Sequence, residues 1–126
     1  MNDFGLKKEE RLCSRKTIEK LFLEGETFFV FPLKVVYLKM PLVVPYPVQA
    51  AFSVSRRNFK RAVKRNLLKR RMREAYRLNK EKLYGALGDD LQLAVMFIYA
   101  GREEKDYNVV ERSMKQSLSK LANIKK

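Results

Sequence analysis

Ile18, Leu21 and Phe22 fall at i, i+3 and i+4, the spacing of one helical face. Ser14 ahead of them suits an N-cap. Gly25 behind them stands where a helix wants a left-handed closing residue, so a short helix is expected over 14–24. The run from Thr27 to Met40 is rich in aromatic and β-branched residues and reads as strand, interrupted or split at Pro32. Pro41, Pro45 and Pro47 mark a loop, and residues 48–55 a further strand. Helical spacing returns over roughly 59–79, and Gly85 and Gly88 bracket a turn after it. Residues 91–99 are almost continuously apolar, the pattern of a strand buried on both faces. Asp106 then caps a last amphipathic helix with Tyr107, Val110, Met114 and Leu121 on one face and Leu118 beside it, fraying at Lys125 and Lys126.

The order α-β-β(-β)-α-β-α predicts an α/β (α+β) two-layer sandwich, a mixed central sheet with a crossover helix between two of its strands. By the general rule that crossover is right-handed. At 126 residues the chain makes one domain, 1–126, and with 46% hydrophobic residues it can fill a core. The start, MNDFGLKKEER, has no apolar signal segment and no run is long enough to span a bilayer, which predicts a cytoplasmic protein without membrane attachment.

Charge turns the crossover helix from a structural element into a candidate site. Residues 56–77 hold eleven of the 28 basic residues and one acid, Glu74, and so carry +10 of the chain's net +14. On a helical projection Leu68, Met72, Ala75 and Tyr76 share one side, the side that should lie on the sheet. Asn66, Lys69, Arg70, Arg73 and Arg77 fall within a sector about 100° wide on the opposite side. Lys64 and Arg71 flank this front, and Arg56, Arg57, Lys60 and Arg61 extend the charge onto the approach to the helix. A solvated helix face normally mixes signs, since like charges one turn apart repel. Such a single-sign face calls for a polyanion, and arginine suits it because its planar fork grips phosphate in two places. A membrane surface fits poorly, because the apolar side is narrow and is needed for the core.

These residues also carry a family resemblance. Phe52-Ser53-Val54-Ser55-Arg56-Arg57, then Arg61-Ala62-Val63, then Arg65-Asn66-Leu67-Leu68-Lys69-Arg70-Arg71-Met72-Arg73-Glu74-Ala75-Tyr76 resembles the signature of the bacterial ribonuclease P protein subunit. That signature is a strand ending in Ser/Thr-Val-x-basic-basic, followed by an Arg-Asn-x-x-Lys-Arg-x-x-Arg helix. Arg11-Leu12, Phe22, Gly25 and Val35-Val36-Tyr37-Leu38 extend the likeness over nearly the whole chain. The resemblance implies a non-catalytic partner of the ribonuclease P RNA subunit, in an enzyme that hydrolyses the 5′ leader from precursor tRNA. The Mg²⁺ required by that holoenzyme sits on the RNA, so the chain itself is expected to hold no metal, no cofactor and no catalytic residue. RNA docking falls by motif match to Arg65, Asn66, Lys69, Arg70 and Arg73. Arg56, Arg57, Lys60, Arg61 and Arg77 extend that surface, and Phe22 and Tyr37 are matched to a cleft that holds the leader. The chain departs from the pattern at Ile18, where many members carry an aromatic residue, and at Leu67, where an arginine is common and Arg71 is the candidate replacement. The family is also described with a left-handed crossover, against the general rule.

The same residues fit other functions less well. A protein-only metal nuclease would need converging carboxylates, for which the candidates are Asp89-Asp90 and Glu103-Glu104, and their places after Gly88 and Gly101 suit turns and caps instead. With no histidine, the single Cys13 lacks both an activating base and zinc co-ligands, and reads as a small packing residue. A ribosomal protein or RNA chaperone would share the electrostatics but not the motif. A DNA binder is not expected, because no helix-turn-helix pair is visible.

Overall fold

A computed structural model describes residues 6–88 and 91–124. After a 3-10 turn at Lys8–Glu10, the elements are α1 (Arg15–Glu24), β1 (Glu26–Val30), β2 (Leu33–Lys39), β3 (Val48–Val54), α2 (Ala62–Leu87), β4 (Leu93–Tyr99) and α3 (Tyr107–Ala122). The strands form one mixed sheet in the order β1-β2-β4-β3. β1 and β2 are antiparallel, as are β2 and β4, while β3 and β4 run parallel with α2 as their crossover. The long aromatic stretch divides at Pro32 into β1 and β2, as its proline suggests.

Strand alternation gives the sheet two different faces. Leu33 and Val35 of β2, Val48, Ala50 and Val54 of β3, and Leu93, Val95, Phe97 and Tyr99 of β4 point into the main core. There they meet Leu68, Met72, Ala75, Tyr76, Leu83 and Leu87 of α2 and Val110, Met114, Leu118 and Leu121 of α3. Phe52, Tyr76 and Phe97 pack ring against ring at centroid separations of 5.5–5.7 Å. Tyr76 and Phe97 are fully buried, and a large side chain so buried contributes about 1.5–3 kcal/mol. On the second face α1 packs Leu21, with Leu12 before it, on Val36, Ala94 and Met96. This smaller layer covers only part of the sheet.

Both helix caps read from sequence are present. The Thr17 N–H donates to Ser14 Oγ at 3.3 Å and the Val109 N–H to Asp106 Oδ1 at 3.1 Å. Three local expectations need correction. Gly85 is not a turn residue: α2 runs through it to Leu87, because Leu83 and Leu87 one turn apart anchor the helix in the core and Gly85 faces open space. Gly88, at φ 62°, ends the helix alone. Gly25 has an extended backbone (φ −74°, ψ 163°), so its need is steric. A Cβ there would collide with the Leu21 carbonyl oxygen and stand 2.9 Å from that of Tyr37. Cys13 is exposed, not packed. Asp89, Asp90, Lys125 and Lys126 lie outside the described residues.

One buried polar cluster ties the N-terminal segment to α2. Glu10 and Lys80 are 1% and 2% exposed, and Lys80 Nζ donates to Glu10 Oε2 at 2.6 Å. The Tyr84 hydroxyl donates to the same oxygen at 2.5 Å and the Lys7 N–H to Oε1 at 3.0 Å. Burial pushes the Glu10 carboxyl up, but these donors and the Lys80 charge together hold it below its ordinary value. Burial keeps the Tyr84 phenol protonated, with the neighbouring Tyr76 and Glu10 pushing the same way.

Candidate nucleic-acid interface

The approach to α2 is a built turn. Ser55 Oγ accepts the N–H groups of Arg57 (3.2 Å) and Asn58 (3.4 Å), and the Ser55 carbonyl accepts that of Phe59 at 3.1 Å. Phe59 then buries edge-on against Tyr99, at a ring separation of 5.7 Å. With Phe59 anchored inward, Arg56, Arg57, Lys60 and Arg61 are left exposed around the turn. The helix begins at Ala62 rather than near 59, with no side-chain cap and no acid in its first turn. Its positive end therefore adds to the local cationic field.

Along α2 the apolar back is as expected: Leu68, Met72, Ala75 and Tyr76 are fully buried. The cations around it do not all have the same freedom. Arg65 folds back, its Nη1 donating to the carbonyls of Phe59 (2.9 Å) and Lys60 (2.8 Å), so it braces the approach turn. Arg77 forms a two-point pair with Glu74, Nε to Oε1 at 3.1 Å and Nη2 to Oε2 at 2.6 Å. The hydrogen bond from Arg77 holds the Glu74 carboxyl below its usual range. Lys64 and Arg71 both pair with Glu104, at 2.5 and 3.2 Å, and Arg71 also donates to the Lys105 carbonyl at 2.6 Å. Arg71 is thereby tied to the loop before α3. Asn66, Arg70 and Arg73 are exposed and Lys69 is half-buried, and among the described residues none of the four side chains has a hydrogen bond or ion pair. Three adjacent cations without counter-ions, one to four residues apart, repel one another in the free protein.

The two aromatic residues matched to a leader cleft are not brought together. Phe22 is 54% exposed on α1, over the second face of the sheet. Tyr37 lies opposite Val95, which points into the main core, and packs against Phe28 at 5.8 Å on the α3 side. Strand periodicity is the reason: with Leu33 inward, every odd residue of β2 faces α3, and Val36 and Leu38 face α1. Ile18 packs beside Leu21 in that smaller cluster. Sequence reasoning missed Phe29, which is 66% exposed on the edge strand, with Lys34 Nζ 5.8 Å from its ring centre. Its alternation with inward-facing Phe28 was the available signal.

Glu103 pairs with Lys105 at 3.7 Å and Glu104 with Lys64 and Arg71. Among the described residues no three acidic, cysteine or histidine side chains gather to hold a metal, and no helix is long and apolar enough to cross a membrane.

A small mixed α/β protein that lays a cationic helix across a four-stranded sheet is built to present that helix to a polyanion. The Ribonuclease P family model matches residues 6–122. The chain is 44% identical to the ribonuclease P protein component of Porphyromonas gingivalis strain W83, covering 94% of this chain and 88% of that one. It is 34% identical to that of Chlorobium phaeobacteroides, over 93% and 85%. The fold matches the ribonuclease P protein of Staphylococcus aureus with a TM-score of 0.70 at 17% identity, covering 91% and 96%. It matches that of Thermotoga maritima with 0.68 at 24%, covering 87% and 96%. The chain belongs to the ribonuclease P protein component family, the protein subunits of an RNA–protein endoribonuclease whose catalysis is not the protein's own.

Proposed function

We propose that this protein docks on the catalytic RNA of ribonuclease P through the exposed front of α2 and its approach turn, and holds the 5′ leader of precursor tRNA on the second face of the sheet beside α1. The observation that carries this reading is the uncompensated set Lys69, Arg70 and Arg73, beside Asn66, on a helix where Lys64, Arg71 and Arg77 are paired with acids of the protein and Arg65 is held by backbone carbonyls. Folding against that repulsion makes sense where phosphates supply the missing charge. Arg56, Arg57, Lys60 and Arg61 extend the surface, Arg65 contributes by fixing the approach turn, and Arg77 serves once it parts from Glu74. Phe22 offers an exposed ring for sequence-tolerant stacking on an unpaired base, which suits leaders of varied sequence. Tyr37, on the other face, takes no part. The Mg²⁺ ions of the reaction belong to the RNA, the protein needs no cofactor of its own, and the assembly works in the cytoplasm.

Reconstitution at low Mg²⁺ tests this reading. The protein is mixed with a bacterial ribonuclease P RNA and a leader-bearing precursor tRNA, and 5′ maturation is scored with each component omitted. Cleavage that needs the RNA and rises with the protein is expected. Intact RNA binding without stimulation would overturn the reading and leave a general RNA-binding protein.

A further inference from the structure

Beyond the motif, the loop after β4 brings one more arginine to the approach turn at the carboxyl ends of the parallel strands. β3 and β4 finish side by side, Val54 level with Tyr99, and the chain beyond each carries an exposed arginine, Arg57 after β3 and Arg102 after β4. Arg57, Asn58 and Arg102 line one open cavity of about 330 Å³. The crevice outside the carboxyl ends of parallel strands is where open α/β sheets most often place ligands. Both walls are fixed from below. Asn58 Nδ2 donates to the carbonyls of Ala100 and Gly101, at 3.4 Å each, and so ties one turn to the other. Gly101 is buried, and a Cβ there would stand 3.2 Å from Pro32 Cβ, so the backbone carrying Arg102 is closely seated.

Of the acids beside Arg102, Glu104 is held by Lys64 and Arg71, and Glu103, largely exposed, lies 3.7 Å from Lys105 rather than on Arg102. Neither the Arg57 nor the Arg102 guanidinium has a hydrogen bond or ion pair among the described residues. Two guanidiniums on a shared cavity with no carboxylate between them make a seat for a doubly gripped anion.

We propose that Arg57 and Arg102 clamp a single RNA phosphodiester between them, with Asn58 holding their two turns at the required spacing. This inference rests on the proposed RNA-binding function and adds to it a contact from the β4–α3 loop, outside the basic helix. The phosphate could come from the catalytic RNA or from the precursor's leader, and the chemistry of the seat is the same for both.

The test uses Arg57→Gln, Arg102→Gln, the double variant and Arg70→Gln. All three positions are exposed, so the fold should survive. Two titrations are run over a range of KCl: protein with ribonuclease P RNA, and reconstituted holoenzyme with leader-bearing or leaderless tRNA. In one of the two, each single variant should weaken binding about threefold or more, and the double should flatten the log–log salt slope by about 0.7–0.9, the value for one phosphate. A loss in the first titration assigns the phosphate to the catalytic RNA, and a loss confined to leader-bearing substrate assigns it to the leader. Unchanged affinity and slope for Arg102→Gln in both, while Arg70→Gln shows a loss, would overturn the clamp and leave the function standing. A double-variant slope change of about 1.4–1.8 would mean two separate phosphates and would also overturn it. If Arg70→Gln is equally silent, the docking surface itself is wrong.

Discussion

Replacing Glu10 with alanine should be among the most damaging substitutions in the chain, although Glu10 touches nothing in the proposed RNA surface. Glu10 accepts three hydrogen bonds, from Lys80, Tyr84 and the Lys7 backbone, and is 1% exposed. Removing it takes the counter-ion from an ammonium that is itself 2% exposed and unfastens the Lys8–Glu10 turn from α2. Breaking a buried pair from one side costs about 3–5 kcal/mol. An unfolding entropy of about 2.1 cal/mol/K per residue, over a chain this long, makes 1 kcal/mol worth roughly 4 °C in Tm. Glu10→Ala should therefore lower Tm by roughly 12–20 °C, read by circular dichroism and checked by urea unfolding. Glu10→Leu combined with Lys80→Met removes both charges and should recover most of the loss. The wild type should also weaken in acid. The Glu10 carboxyl is held below its ordinary value, so its contribution is complete above the usual carboxylate range and is lost as pH falls through the lowered one. A cost below about 1 kcal/mol for Glu10→Ala would refute the idea that this pair fastens the segment, since a pair in contact with solvent is worth no more than that.

Lys69→Ala, Arg70→Ala and Arg73→Ala should each flatten the salt dependence of binding to ribonuclease P RNA by about 0.7–0.9 in log–log slope. Arg77→Ala should change it less, because Arg77 must first leave Glu74, and an equal effect at all four in filter binding would contradict that ranking. Gly25→Ala should destabilise by more than about 1 kcal/mol despite its ordinary φ, because its Cβ has no room beside Leu21 and Tyr37; thermal melts would show it. Phe22→Ala should spare RNA-subunit affinity and reduce the holoenzyme's preference for leader-bearing over mature tRNA, whereas Tyr37→Ala should act on stability and not on that preference.

Much of this could be read from the chain because the cues were local. Pro32 divides the aromatic run, Ser14 and Asp106 cap helices where they should, and the Leu68, Met72, Ala75, Tyr76 stripe sets which side of α2 is buried. What failed depended on partners far away in sequence. Tyr37 is matched to the leader cleft by motif alone, and because β2 is apolar on both faces its own pattern does not say which parity points to which helix. Nothing local in the sequence marks Glu10 and Lys80 as buried, since the contact that buries them joins residues 70 apart in the chain. Gly85 was read by its propensity, but Leu83 and Leu87 outweigh the roughly 1 kcal/mol that a helical glycine costs. The charge run was legible as a whole, but its division into bound and unbound cations was not, because Glu104 reaches Lys64 and Arg71 from another element.

In α2 a core stripe and an RNA-facing front share one 26-residue helix, roughly 39 Å long. The two are locked in phase. Inserting or deleting one residue between Leu68 and Tyr76 would turn everything downstream by about 100°, driving cations into the core or apolar residues onto the RNA. This stretch can therefore drift by substitution but not by length, whereas the proline loop at 41–47, though Gln92 bonds its backbone at Leu42, Val44 and Tyr46, has no helical phase to keep. Lineages of this protein should record their insertions and deletions in that loop and leave the length of the helix between Leu68 and Tyr76 unchanged.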